Sequence, residues 1–201
     1  MTAQRNIDPT LAKALAKGVL RARDLKARGY SRAQLGRWVE RGELVRVARG
    51  LYALPEREVG QHESIVHAAA RVESGIVCLL SALRVHELTT QNPHEVWLAV
   101  PRNARVPKLD WPPLRVIRWS GAPLTDGIIA LEVDGVTVRI TTPARTVADC
   151  FKHRNTVGLD VAIEALRDYR RTRVGSVDEL MEAAKVARVH RIMQPYIEAI
   201  T

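Results

Sequence analysis

Apolar positions along this 201-residue chain follow the helical period in four stretches and a period of two between the second and third of them. Leu35, Trp38 and Val39 share one face of a helix whose other face carries Ala33, Gln34, Arg37 and Arg41. Ile65, Ala68, Ala69 and Val72 stripe a helix over 62–72, and Leu159, Ala162, Ile163, Leu166 and Tyr169 stripe another. A last stripe, Val189, Ile192, Met193, Tyr196, Ile197 and Ile200, is interrupted by Pro195, which should kink that helix or start its final turns. Beyond Asn92-Pro93 the pattern alternates. Residues 95–100 and 114–119 read as strands across a proline-rich loop, and 128–133, Asp134-Gly135 and 136–141 read as a hairpin. Gly75 to Leu80 is apolar enough to be buried, and a helix is expected over Ser81 to Leu88.

The most specific local order lies in residues 22–54. A first helix is expected from Pro9 to Lys17, with Asp8 as N-cap and Gly18 as its stop. A short second helix, Ala22 to Ala27, runs into the turn Arg28-Gly29-Tyr30. Ser31 and Gln34 then form a capping box that opens the next helix. Gly42 ends that helix, and the apolar runs 44–47 and 51–54 flank Ala48-Arg49-Gly50 as a tight hairpin. Helix, turn, capped basic helix and hairpin is the order of a winged helix-turn-helix. That geometry puts the start of the second helix of the pair into a major groove, so Ser31, Arg32 and Gln34 should meet bases or adjacent phosphates, with Arg37 and Arg41 farther along. Arg46 and Arg49, on or beside the wing, should meet backbone phosphate or minor groove.

Charge distribution sharpens this reading. The net charge is +9, and residues 1–60 hold 13 Lys or Arg against 6 Asp or Glu, leaving the remainder nearly balanced. A basic excess confined to one small domain is the footprint of a polyanionic partner. Cys78 and Cys150 sit in apolar stretches without repeated spacing, which argues against a disulfide framework or zinc knuckle and for a reducing, cytoplasmic setting. No apolar run approaches the roughly 20 residues needed to cross a bilayer, so no membrane partner is expected.

From Gly29 to Leu54 the pattern G-Y-S-R-x-Q-L, then R-G-E-L-V-R-V-x-R-G-L-Y-A-L, resembles the N-terminal DNA-binding domain of AbiEi-like antitoxins of type IV toxin-antitoxin systems. The stretch from Thr141 to Phe151, the run Gly158 to Ala162 and the C-terminal Gln194-Pro195-Tyr196 extend the resemblance over most of the chain. It implies a transcriptional regulator that binds its own promoter, with inverted repeats as the expected operator, and whose second domain counters a nucleotidyltransferase-like toxin in abortive infection of phage-attacked cells, without a stable complex between the two.

Chemistry points away from an enzyme. Glu132-Val133-Asp134 runs into the hairpin glycine and lacks the lysine of a nuclease cluster, so Asp134 is better explained by the turn. The run Gly175 to Glu179 superficially matches a nucleotidyltransferase signature, but its acids belong to a second capping box, Ser176 with Glu179. The histidines at 62, 67, 86, 94, 153 and 190 show no metal-ligand spacing, and no cofactor or metal is expected. Arg145 and Asp149, four apart in a helix opened by Thr142-Pro143, read as a surface or interdomain ion pair in preference to a catalytic one. The run Arg170 to Arg173 reads as a solvated helix end complementing the dipole, in preference to a contact with nucleic acid or an acidic partner.

The expected fold is α+β: a winged helix-turn-helix over 1–58, a break at Pro55 to Gly60, and a larger mixed α/β domain over 61–201 with a small sheet and several C-terminal helices. The alternatives are a nuclease-like enzyme targeted to DNA by its winged helix, and a stand-alone transcriptional regulator.

Overall fold

The structure, a computed structural model, describes residues 7–16, 18–57 and 59–199. Lys17, Glu58 and Ile200, each named above, lie outside the described residues. Packing divides the chain into two compact units. One takes the residues up to Glu73 together with Glu132–Val138; the other takes Ser74–Leu131 and the chain from Arg139 onward.

The first unit begins with α1, Pro9–Leu15, capped by Asp8, whose carboxylate accepts from the Thr10 amide at 2.9 Å. A two-residue strand β1 (Leu20–Arg21) and helix α2 (Ala22–Ala27) follow, then α3 (Arg32–Glu40) and the strands β2 (Val45–Ala48) and β3 (Leu51–Ala53). The three strands form one antiparallel sheet in the order β1-β3-β2, with Leu20 opposite Tyr52 and Val45 opposite Ala53. Leu11, Leu15, Leu25, Leu35 and Leu44 make the core of this arrangement, and Trp38 and Val39 pack on it half-buried. The helical stripe of α3 therefore faces inward as its sequence spacing requires. Helix α4 (Glu63–Arg71) closes the first unit.

The glycines on either side of this domain have a role that sequence alone does not assign them. Gly18 was expected as a helix stop, yet α1 has ended by Leu15, and the φ of Gly18 is +137°. A Cβ there would lie 2.1 Å from the carbonyl oxygen of Asp134, which accepts from the amide of Val19 at 3.1 Å. A Cβ on Gly60 would meet the Asp134 carboxylate at 2.1 Å, and that carboxylate accepts from the His62 amide at 3.2 Å. Both positions are empty of side chain because the Asp134 turn fills the space.

In the second unit, β4 (Ile76–Val77) leads into α5 (Leu79–Val85), followed by β5 (Val96–Pro101), β6 (Leu114–Trp119), β7 (Ile128–Val133) and β8 (Val136–Thr141). The last two strands form the expected hairpin, whose turn segment 132–138 is counted with the first unit. The sheet order is β6-β5-β4-β8-β7, with β4–β5 antiparallel and β4–β8 and β5–β6 parallel. The sheet is thus mixed, and β5 is buried on both faces over Val96–Val100. Helices α6 (Pro143–Lys152), α7 (Arg154–Val157), α8 (Leu159–Thr172), α9 (Val177–Val186) and α10 (His190–Ala199) complete the unit. Helix α6 lies at its centre: every residue from Ala144 to Phe151 is buried, and the Phe151 ring meets that of Tyr196 at 5.4 Å. Helix α10 continues through Pro195.

Candidate nucleic-acid interface

The turn between α2 and α3 is set by local chemistry. Gly29 has φ +91° with nothing within 4 Å of a Cβ built on it, so glycine is there for its backbone conformation and not for space. The amides of Gly29 and Tyr30 donate back to the Lys26 and Leu25 carbonyls, both at 3.0 Å. Tyr30 turns its ring edge-on to Trp38, 5.6 Å between centroids, and its hydroxyl donates to Asp8 at 2.5 Å. That hydrogen bond holds the Asp8 carboxyl below its ordinary range and pushes the Tyr30 phenol up. Start of α1 and start of α3 are thereby tied together.

Both ends of α3 are closed. Gln34 donates its amide to the Ser31 hydroxyl at 3.2 Å, and Ser31 donates its amide to the Gln34 side-chain oxygen at 2.8 Å. At the other end Gly42, φ +70°, donates to the Val39 carbonyl at 3.0 Å while Glu43 donates to Trp38 at 2.9 Å, the paired bonds of a Schellman motif. With its terminal groups satisfied, the helix presents a fixed outer face. Arg32 and Arg37 on α3 and Arg41 at its C-cap are exposed, as are Arg46 on β2 and Arg49 in the turn. Among the described residues, none of these five guanidinium groups has a hydrogen-bond or ion-pair partner. The ladder shifts register between Arg46 and Ala48, a bulge of the kind that re-aims a strand's side chains, and Gly50 supplies the positive φ of the turn, +77°.

Ser31 is exposed and Gln34 half-buried, and each has part of its bonding capacity engaged in the cap. What remains for a ligand is the Ser31 O–H and the Gln34 side-chain NH2, both donors. Lys26 and Arg28, exposed at the end of α2, also stand beside this turn, and neither was named individually as a site residue from the sequence, which allowed α2 as a whole a bracing role and a contact with phosphate. The run K-A-R at the helix end carries that signal in the sequence.

In the second unit, one arginine is engaged wholly in the fold. Arg145 and Asp149 were expected as a surface or interdomain pair; the structure corrects this, since both are buried within the second unit, at 4% and 1% exposure. Arg145 Nε donates to Asp149 Oδ2 at 2.8 Å, its Nη1 donates to the Asp126 carbonyl at 2.7 Å, and the guanidinium lies 5.1 Å from the Trp119 ring centre. Burial pushes the Asp149 carboxyl up from its usual range, and Arg145 opposes that push. Cys78 and Cys150 are free and fully buried, which raises both thiols. Among the described residues no three His, Cys, Asp or Glu side chains converge as a metal site, and no helix is long and apolar enough to cross a membrane.

A paired-helix unit with an unpaired arginine face and a hairpin beside it, joined to a second unit built on a mixed sheet and a central buried helix, defines an α+β protein of the helix-turn-helix class. Residues 10–55 match a family described as "Transcriptional regulator, AbiEi antitoxin", which shows this segment to be AbiEi-like and supports a role as antitoxin or transcriptional regulator. No curated protein matches the chain. Among solved structures it is similar to the crystal structure of the RV2827C protein from Mycobacterium tuberculosis, 16% identical, with a TM-score of 0.53 over 98% of this chain and 83% of that one. At that identity the likeness is one of fold.

Proposed function

We propose that this protein represses its own operon by binding double-stranded DNA through α3 and the β2–β3 wing, and that it serves as the antitoxin of a type IV, abortive-infection toxin-antitoxin system. The observation that carries the reading is the set of five exposed guanidinium groups without partners, Arg32, Arg37, Arg41, Arg46 and Arg49, on a segment that matches the AbiEi family. A cationic side chain without an ion-pair partner among the described residues is free to replace condensed counterions on phosphate. The first turn of α3, with Arg32 and the free donors of Ser31 and Gln34, addresses base edges in the major groove; Arg37 and Arg41 follow the groove, and Arg46 and Arg49 reach backbone or minor groove. Residues 1–58 carry DNA binding in this reading, and residues 61–201 counter a nucleotidyltransferase-like toxin in the cytoplasm without catalysis, cofactor, metal or a stable complex.

The test keeps the full chain. The Arg37→Ala/Arg41→Ala variant is compared with wild type for mobility shift on the promoter upstream of its own gene and for rescue of cells expressing the neighbouring toxin gene. Repression is lost and rescue retained if the two functions divide as proposed. Unchanged promoter affinity removes α3 from the interface, and loss of rescue in the folded variant overturns the division of labour.

A further inference from the structure

Two clefts of the second unit adjoin at Val174 and Gly175. One, of about 560 Å³, lies between the start of α6 and the side of α9, with Pro143, Val174, Ala183 and Val186 as apolar lining and Asp178 and Glu182 among its acids. The other, of about 590 Å³, is lined by Arg167, Arg170, Arg171, Arg173 and Gly175. Val174 lines the acidic cleft and Gly175 the basic one, so the short connection between α8 and α9 separates them. Arg173, at φ +54°, ends α8 in the left-handed conformation and turns the chain there.

Each cleft is neutralised only in part from within. Arg171 pairs with Asp168 at 2.9 Å, but Arg167, Arg170 and Arg173 have no hydrogen-bond or ion-pair partner among the described residues. Across the connection, Glu179 is engaged in its capping box and Glu182 pairs with Lys185 at 2.6 Å, while Asp178 has no partner among the described residues. Val174, beside Gly175 at the junction of the two clefts, is 42% exposed, and Val186, in the lining of the acidic one, 48%. An exposed valine at the junction of a cleft with unpaired cations and an apolar cleft edged by carboxylates makes a surface that is complementary to itself when rotated by half a turn.

We propose that a second copy of this chain covers both clefts, about a two-fold axis passing the α8–α9 connection. Such an interface is isologous, so each copy's arginine cleft faces the other's acidic cleft, and Val174 meets its symmetry mate near the axis. The two-fold operation is what keeps like charges apart; a head-to-tail contact would use each cleft once and leave the other open. Burial of Val174 and Val186 supplies the apolar contribution, and the opposed charges set register and sharpen the salt dependence.

Sedimentation velocity on the full-length protein without DNA, over a concentration series at low and high salt, decides the matter. The wild type is expected to show a reversible monomer–dimer equilibrium that weakens with salt. Arg170→Glu/Arg173→Glu and Asp178→Arg/Glu182→Arg each raise the dimer dissociation constant at least about tenfold, while the chain carrying all four reversals recovers most of it because the swapped clefts still face each other. A wild type that stays monomeric throughout overturns the proposal without need of any variant, and so does a fourfold variant no better than either pair.

Discussion

Arginine is used in opposite ways around α3 and within α6. On α3 and the wing, five guanidinium groups are exposed and without partners, whereas Arg145 on α6 is buried and held by Asp149, the Asp126 carbonyl and the Trp119 ring. A buried guanidinium is tolerated only when its charge and donors are met, so everything around Arg145 is committed to it. The exposed arginines contribute little to stability because water satisfies them equally in the folded and unfolded chain. The difference teaches where to look for function: in a chain with many arginines, the ones that matter for a ligand are those that the fold leaves unmet.

The largest expected effect breaks the comparison on the buried side. Asp149→Ala leaves the Arg145 charge uncompensated and should cost about 3–5 kcal/mol in urea unfolding, while promoter affinity per folded molecule is unchanged. On the exposed side, Arg37→Ala/Arg41→Ala should leave unfolding within about 0.5 kcal/mol of wild type and weaken promoter binding by about 1–3 kcal/mol in mobility-shift titrations. If that variant loses stability instead, the two groups of arginines are not different in kind. Ser31→Ala lies between them: loss of the cap should cost about 1 kcal/mol of stability, and a fall in affinity beyond that expected from the unfolded fraction would assign the Ser31 hydroxyl a contact of its own.

The smallest effect is in pH. Burial lowers the imidazole pKa of His86 and His153 in the second unit and of His67 in the first. The unfolded chain then binds protons that the folded chain refuses, so stability is full above the ordinary histidine value near 6.5 and declines as pH falls from there toward the lowered folded values. His86 Nε2 lies 2.7 Å from the Thr141 carbonyl, a contact in which the imidazole donates. Unfolding midpoints at pH 7.5 and 5.5 check the sign, and His86→Gln should flatten part of the slope. Stability that rises on acidification over this window would contradict it.

How much of this was legible in sequence depends on how local the determinant is. The capping box at Ser31 and Gln34, the α2–α3 turn and the β7–β8 hairpin depend on neighbours in the chain, and residue types and spacing revealed them. Strands β1 and β4 went unread as strands because two residues carry no period; each exists through pairing, Leu20 with Tyr52 and Ile76 with Ala99. Spacing suggested that Arg145 and Asp149 could pair, but not that α6 is sheathed on all sides, which depends on elements far away in sequence. The arginines of the candidate site were recognisable by position on an amphipathic helix; their lack of partners needed coordinates. Ser31 and Gln34 were named as site residues from the same motif that, in the structure, engages part of each in the cap.

Segment 132–138 gives the first unit an unusual timetable. The Asp134 carbonyl and carboxylate accept from Val19 and His62, and Gly18 and Gly60 are shaped around them. During synthesis the residues up to Glu73 leave the ribosome some sixty residues ahead of Val138. At about 5–20 residues per second, the nascent helices of that unit wait several seconds with two backbone donors unmet and a docking place empty. A ribosome that drops off in this interval releases an arginine-bearing fragment whose own unit is unfinished, so completion of the first unit is coupled to translation through Val138.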